Sequence, residues 1–210
     1  DKIPTLLKRF RQSVLAAATS GELTKEWREG NAFNVIEELK KIDDNRQASF
    51  EIEAKKHLEK TGKKLRRYDF SDLNDEMPNR RIPDHWEVVP LGYLIEFLTD
   101  YHANGSYEVL KKHVALKEKE DYACMIRATN FEKNNFHDLM VYVTKDAYNF
   151  LSKSKLYGGE ILVGKIGNAG SIYYMPQLNR PCSLAMNLFS LRFNEALICS
   201  KYLYYFLKSN

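Results

Sequence analysis

The 210-residue sequence is poor in the residues that build metal centres and covalent cross-links. It has three cysteines, Cys124, Cys182 and Cys199, an odd number without any C-x-x-C spacing. Zinc and redox sites need paired cysteine spacings, and disulfide frameworks need even numbers. The thiols lie among apolar residues, which predicts reduced core side chains in a cytoplasmic protein. The histidines are scattered, so we expect neither a bound metal ion nor a cofactor.

Long apolar runs are also missing. No stretch of about 18 apolar residues occurs, and no basic and then apolar leader is present, which argues against membrane insertion or export. The charge is only mildly one-sided, with a net value of +4 and a pI near 8.8. Such a balance permits nucleic acid binding without demanding it.

Charged and aromatic residues divide the chain at Arg81. Residues 1–81 hold 33 charged but only 6 aromatic side chains, whereas residues 82–210 hold 27 and 20. The first part therefore predicts helices with little core of their own, and the second predicts a packed domain. We find no internal repeat.

The first helix is predicted from near Thr5, after Pro4, to Gly21, a residue suited to a left-handed C-cap. Its apolar residues recur at spacings of 4, 3, 4 and 3, which is typical of the narrow seam of a coiled coil. We call these residues the arm seam: Ile3, Leu7, Phe10, Val14 and Ala17. The seam predicts packing against a partner helix.

A second helix is predicted from Asn34 to Thr61. Asn34 and Glu37 resemble a capping box, and Gly62 suits the C-terminus. Its apolar residues, Val35, Leu39 and Ile42, are followed by Arg46, which interrupts the pattern. The residues that follow, 63–81, are rich in charge and predict a polar linker, whose role the sequence leaves open.

The second part alternates short apolar runs with turns, which predicts an α+β domain with one curved mixed sheet and small helices. Strands are expected at residues 122–127, 141–143, 161–163, 172–175 and 188–193, and a closing helix at residues 200–208. On that helix Tyr202, Tyr205 and Phe206 share one face, which we interpret as packed on the core.

The strand at residues 161–163 runs into a loop, residues 164–171, that we call the glycine loop. Gly164, Gly167 and Gly170 let the backbone adopt positive φ and approach a ligand closely. Lys165, Asn168 and Ser171 add a cation, an amide and a hydroxyl. A Walker phosphate loop is excluded because Ile166 stands where Mg²⁺ needs a hydroxyl. A plain hairpin without a ligand remains the alternative.

Several blocks flank this loop in a characteristic order. They are residues 82–92 (IPDHWEVVPLG), 125–131 (MIRATNF), 159–163 (GEILV) with Ile166-Gly167, and 201–207 (KYLYYFL). This order resembles a target recognition domain of the specificity subunits of type I restriction–modification enzymes. Residues 6–24 (LLKRFRQSVLAAATSGELT) resemble the central spacer helix of the same family. The charged stretch before residue 82 departs from the family, whose spacer passes to the second recognition domain more directly.

The resemblance implies a function and a division of the chain. Residues 1–30 would be the end of the spacer coiled-coil helix, 31–81 a second helix and linker, and 82–210 the DNA target recognition domain. The chain would recognise one half of a bipartite duplex DNA target, acting with methyltransferase subunits and a motor-nuclease subunit. It would be a fragment of a longer subunit and could self-associate through its helical arm.

Base contacts would come from loop side chains, and phosphate contacts would fix the register. Our candidates come from the glycine loop, from the end of the strand at residues 122–127, from a preceding variable region and from two sites nearer the C-terminus. They are Lys165, Gly167, Asn168, Ser171, Arg127, Thr129, Asn130, Lys111, Lys112, His113, Arg180 and Asn187.

Catalysis by this chain itself is not expected. Methyl transfer to a base amine would need an Asn-Pro-Pro type pocket, which the sequence lacks. Nuclease chemistry would need clustered carboxylates and a lysine around Mg²⁺. Pro83-Asp84 and Glu118-Lys119 supply only a superficial match in a charged stretch.

Two alternatives remain open. The chain could be a coiled-coil assembly module whose second part reads no DNA. It could also be the recognition domain of a single-chain restriction–methylation enzyme.

Overall fold

The computed structural model describes residues 2–31, 34–66, 82–83 and 86–209. Two compact units emerge, one of Asp1–Leu94 with Glu195–Ile198 and Ser209, the other of Ile95–Asn194 with Cys199–Lys208 and Asn210. Most of the predicted linker, residues 67–81, lies outside the described residues, as do Asp84 and His85. The domain division at residue 82 thus stays a prediction.

The first unit is helical. Its helices are α1 (Ile3–Thr19), α2 (Lys25–Gly30), α3 (Val35–Thr61) and α4 (Leu91–Leu94), with a 3₁₀ turn at Glu22–Thr24. α1 begins two residues before the predicted Thr5 and carries Pro4 in its first turn. Gly21 follows its C-terminus with φ of +82°, the left-handed conformation predicted for this glycine.

The signals at both ends of α3 act as predicted. The side chain of Asn34 accepts hydrogen bonds from the backbone N–H groups of Ile36 and Glu37, at 3.2 and 3.4 Å. Gly62 adopts φ of +69° and donates its N–H to the Leu58 carbonyl at 2.8 Å. A capped N-terminus and a left-handed glycine at the C-terminus satisfy backbone groups that the helix itself leaves unpaired.

Arg46 has a role that the apolar pattern did not reveal. Its guanidinium donates to the carbonyl of Gly92 at 2.9 Å and to that of Tyr93, and it lies 5.0 Å from the centre of the Tyr93 ring. The Tyr93 hydroxyl in turn donates to the Leu39 carbonyl at 3.2 Å. The arginine that interrupts the apolar stripe therefore joins α3 to α4 by binding carbonyl groups.

The second unit contains two four-stranded sheets, so the α+β class is confirmed but the prediction of one sheet is wrong. The first sheet has the order β1 (Phe97–Asp100), β8 (Leu188–Arg192), β5 (Ile161–Gly164) and β6 (Ile172–Tyr174), all antiparallel. The second has the order β3 (Val141–Val143), β2 (Ala123–Ile126), β7 (Cys182–Leu184) and β4 (Lys155–Leu156), with β2 and β7 parallel.

Strand β2 explains why two layers form. All four of its residues are buried, and successive residues face opposite sides. Cys124 and Ile126 join a core cluster that includes Leu162 and Leu188 of the first sheet. Ala123 and Met125 join a second cluster, on the other face, with residues of α5 (Tyr107–His113) and α7 (Lys145–Phe150). The second sheet is therefore covered on both faces.

Two further helices complete the unit, α6 (Ala128–Glu132) and α8 (Ser200–Lys208). The predicted core-facing role of three aromatic residues on α8 is wrong, because Tyr202, Tyr205 and Phe206 are 39%, 44% and 37% exposed. The buried residues of this helix are Ser200 and Leu203. Among the described residues, no helix has the length and apolar character needed to cross a bilayer.

Candidate nucleic-acid interface

The glycine loop joins the central strand β5 to the edge strand β6. Backbone hydrogen bonds close it: Gly164 donates to Ser171 at 2.8 Å, Gly170 donates to Gly164 at 2.9 Å, and Ser171 donates to Asn168 at 3.1 Å. Residues 166–170 are all exposed. The loop is therefore a compact projection at the end of a buried strand, ordered by its own backbone before any ligand arrives.

The three glycines of this loop act in two different ways. Gly167 and Gly170 adopt φ of +84° and +81°, as predicted, and open space surrounds both. Gly164 does not adopt positive φ, so this part of the prediction is wrong. A Cβ atom at Gly164 would lie 2.2 Å from the carbonyl oxygen of Asn168. Gly164 is therefore needed for the close approach of the loop to its own strand.

Lys165 is held from three sides. Its ammonium nitrogen lies 2.5 Å from Oδ2 of Asp100, at the end of β1, and 5.1 Å from the centre of the Phe189 ring. Its backbone N–H donates to the Asn187 carbonyl at 2.8 Å. The sheet order β1-β8-β5 brings these residues together, because β8 separates the strands that carry Asp100 and Lys165.

Asp100 is mostly buried, with 17% of its side chain exposed. Burial by itself would raise the pKa of this carboxyl. The hydrogen bond and charge of Lys165, the Ala103 N–H donor at 2.9 Å and the charge of His102 outweigh it and hold the pKa below its usual value. The carboxylate is thus ionised at neutral pH and pairs with Lys165.

This shift predicts a pH dependence of folding. A carboxyl with a lowered pKa in the folded state stabilises the protein above its unfolded-state pKa of about 3.8. That contribution is lost as the pH falls through the lower folded-state value. We expect Asp100→Asn to have a lower free energy of unfolding than wild type at pH 7. This difference should become smaller below about pH 3.8. Urea unfolding of both proteins between pH 7 and pH 3 measures the difference in free energy of unfolding. A difference that stays constant over this range would contradict the prediction.

Asn168 is exposed, but its amide has a fixed partner. Nδ2 of Asn168 donates to Oε1 of Glu132 at 2.7 Å, and the Tyr173 hydroxyl donates to the same oxygen at 3.3 Å. The Tyr173 ring stacks on Phe131, with ring centres 4.8 Å apart. α6 thus holds the loop's amide through Glu132, and β6 contacts the same carboxylate through Tyr173. Ser171, at the base of the loop, is half-buried.

The three candidates that follow β2 have different environments. Arg127 precedes α6, and its guanidinium donates to the Leu139 carbonyl at 2.7 Å. Asn130 is fully buried. Its Oδ1 accepts from the Arg127 N–H, and its Nδ2 donates to the carbonyls of Asn135 and Leu139. Only Thr129 is exposed. The predicted polar tip of a strand is therefore a short helix in which Asn130 holds the turn together.

The remaining candidates lie elsewhere on the unit. Lys111, Lys112 and His113 are exposed in the last turn of α5, where the His113 ring stacks on Phe150 at 4.5 Å. Arg180 is half-buried and contacts Glu120 at 2.9 Å and the Asp121 carbonyl at 2.8 Å. α5 thus contacts α7 at His113, and Arg180 contacts the segment that precedes β2.

Asn187 contacts the glycine loop through its backbone carbonyl, which accepts from Lys165. Its side-chain Oδ1 is buried, with no hydrogen-bond partner among the described residues. A buried acceptor of this kind costs free energy unless it is paired. The contact of Asn187 with Lys165 is therefore made by its backbone, directly before β8.

Sequence reasoning missed the two carboxylates at this site, Asp100 and Glu132. Asp100 belongs to none of the motifs identified in the sequence, and Glu132 directly follows the MIRATNF block. Acidic residues are not expected beside phosphates, so charge alone would not have selected them. A search for carboxylates that could pair with Lys165 and Asn168 could have identified them.

The comparisons with known proteins fit this geometry. Residues 83–210 match the family model described as the type I restriction modification DNA specificity domain. A stretch of 31 residues is 64% identical to the type I restriction enzyme EcoDI specificity subunit of Escherichia coli, covering 15% of this chain and 7% of that subunit. The family match spans more than half of the chain. The chain therefore belongs to the type I restriction modification DNA specificity domain family.

Proposed function

We propose that this chain recognises one half of a bipartite duplex DNA target for partner subunits that methylate or cleave the DNA. The observation that carries the proposal is the glycine loop, an exposed projection that presents Asn168 and has the partly exposed Lys165 at its base. Reading of base edges needs donors and acceptors held in register, and a loop closed by its own hydrogen bonds supplies them. The chain contributes recognition and leaves catalysis to those partners.

The candidate residues divide into two classes under this proposal. Asn168, Ser171 and Thr129 are exposed or half-exposed polar groups suited to base edges. Lys165, Lys111, Lys112 and His113 carry side-chain nitrogen donors suited to phosphates. Arg127, Asn130 and Arg180 donate side-chain hydrogen bonds within the protein, and Asn187 accepts one through its backbone, so we assign all four to support of the surface.

The helical arm supplies the proposed contact with partner subunits. Leu7, Phe10 and Val14 of the arm seam are 48%, 64% and 44% exposed, and Leu6 beside them is 61% exposed. A helix of 17 residues that leaves such a stripe in water is stabilised by packing against another helix. We therefore assign the arm seam to assembly, with a methyltransferase subunit or with a second copy of the chain.

Selection of bound oligonucleotides from a random duplex pool by the assembled complex tests the function. We expect enrichment of a short fixed sequence at a constant distance from a second one. Duplex binding without any enriched sequence would favour an assembly module that does not read DNA. A native chain that continues upstream into a catalytic pocket would favour the single-chain enzyme.

Lys165→Ala is expected to weaken binding of cognate and unrelated duplexes by similar factors. A phosphate contact carries no sequence information, and its loss lowers the magnitude of the slope of log K against log salt by about 0.9. Titrations at several salt concentrations measure both quantities. Lys153→Ala, which removes an exposed lysine after α7, is the matched control. A loss confined to the cognate duplex would contradict the assignment of Lys165 to phosphate.

A further inference from the structure

The Asn168 side chain has a chemically defined orientation because of its neighbour. A carboxylate can only accept hydrogen bonds, whereas an asparagine amide donates through nitrogen and accepts through oxygen. Oε1 of Glu132, 2.7 Å from Nδ2 of Asn168, therefore selects one of the two orientations of the amide. The nitrogen faces α6 and Oδ1 is left to accept from outside.

The side chain of Glu132 is itself supported. The Tyr173 hydroxyl donates to the same Oε1 at 3.3 Å, while its ring stacks on Phe131. Phe131 also makes an edge-to-face contact with Phe136, with ring centres 5.1 Å apart. Glu132 is exposed, but these two hydrogen bonds restrict its carboxylate to the side that faces Asn168.

From this arrangement we infer that Glu132 is a positioning residue that sets base preference through Asn168. The inference rests on the proposed function. In the major groove, adenine and cytosine present exocyclic amino groups, whereas guanine and thymine present carbonyl oxygens at the corresponding positions. An outward Oδ1 accepts from an amino group and repels a carbonyl oxygen. Asn168 held by Glu132 therefore selects a base that carries an exocyclic amine.

Duplex binding should strengthen the hold of Glu132 on the orientation of the Asn168 amide. Exclusion of water from the interface lowers the local dielectric, so the bond between Asn168 and Glu132 gains strength. Turning the amide over in the complex would bring its oxygen against the carboxylate. This repulsion between oxygen atoms penalises any base that needs the turned amide. It therefore acts against binding of the wrong base.

Glu132→Gln is the decisive change, because glutamine has nearly the same shape but can donate as well as accept. The amide of Asn168 can then bond to its neighbour in either orientation. We expect preference for amino-bearing over carbonyl-bearing bases at one base pair to fall from about fivefold or more to near unity. Preference at the other positions should be unchanged.

A double variant gives the rescue. Glu132→Gln combined with Asn168→Asp keeps the total charge and reverses the hydrogen bond, since the new amide donates to the new carboxylate. The second oxygen of that carboxylate then faces outward as an acceptor. We expect the double variant to regain preference for amino-bearing bases, because an acceptor again faces outward at residue 168.

Selection from a random duplex pool by the assembled complex, run in parallel for wild type and both variants, tests the inference. The expected result is loss of preference at one position in Glu132→Gln and its recovery in the double variant. A wild-type motif that Glu132→Gln reproduces at every position would overturn the inference and leave the proposed function standing. A wild-type pool without enrichment would overturn the proposed function and the inference with it.

Discussion

Replacing Leu7 and Phe10 together by aspartate is expected to abolish assembly of the chain through its helical arm. Both side chains lie on the arm seam and are 48% and 64% exposed in the isolated chain. Each would contribute about 1.5–3 kcal/mol when buried in an interface, and a buried unpaired carboxylate costs several kcal/mol more. The loss therefore exceeds about 5 kcal/mol, which is more than about a thousandfold in the association constant.

Sedimentation of the chain alone, and co-purification with the methyltransferase subunit, measure the two possible assemblies. The control carries Thr5→Asp and Gln12→Asp, two exposed positions one heptad apart and away from the arm seam. This pair introduces the same charges into α1 but should leave assembly intact. If the Leu7 and Phe10 variant behaves like wild type in both measurements, the arm seam does not serve assembly.

Local signals in the sequence predicted local structure well. Asn34 and Gly62 were expected to cap the second helix, and both do so through the backbone groups that the helix leaves unpaired. The apolar runs at residues 141–143 and 161–163 are strands, and the strand expected at residues 172–175 is β6. Capping and strand formation depend on neighbours a few residues away, so a single sequence contains the necessary information.

Contacts between distant residues were not predictable in the same way. β2 pairs with β7, nearly sixty residues later, and this pairing creates the second sheet. The apolar character of both strands is visible in the sequence, but their partners are not. Likewise, Asn130 carries the same amide as Asn168, yet one is buried and the other exposed. Burial is set by the packing of α6, which the residue type does not reveal.

The candidate site was predicted only in part, for a related reason. The sequence identified the glycine loop and its polar side chains, because glycine spacing and residue chemistry are local properties. It did not identify Asp100 and Glu132, which stand 65 and 36 residues from the groups that they hold. Each carboxylate fixes one polar side chain of the loop. Under the proposed function, this arrangement reduces the conformational entropy that DNA binding would otherwise cost.

A methyl group at Gly164 is expected to have the second large effect, because the glycine loop depends on close packing against its own strand. In Gly164→Ala the new Cβ would lie 2.2 Å from the Asn168 carbonyl oxygen and 3.2 Å from its carbonyl carbon. Those atoms belong to the backbone, so no flexible side chain can move aside. The loop must open, and the bonds from Gly170 to Gly164 and from Ser171 to Asn168 must lengthen or break.

Overpacking of this kind costs about 1–3 kcal/mol of folding stability. Preference for the cognate duplex should fall more than overall affinity for DNA, because the displaced carbonyl belongs to Asn168 itself. We expect Gly164→Ala to lose most of its preference for the cognate duplex at the base pair that we propose Asn168 reads, while binding to unrelated duplexes stays within about threefold of wild type. Competition titrations with cognate and scrambled duplexes at fixed salt measure the ratio.

Gly167→Ala is the matched control, since it adds the same methyl group to the same loop. No atom lies within 4 Å of its Cβ position, so the change meets no clash. Its cost is the strain of an alanine at φ of +84°, about 1–2 kcal/mol. We therefore expect a loss of stability comparable to that of Gly164→Ala with much smaller loss of discrimination. If both variants keep full preference for the cognate duplex, the glycine loop is a plain hairpin, and recognition must come from exposed residues such as Thr129 and Lys111.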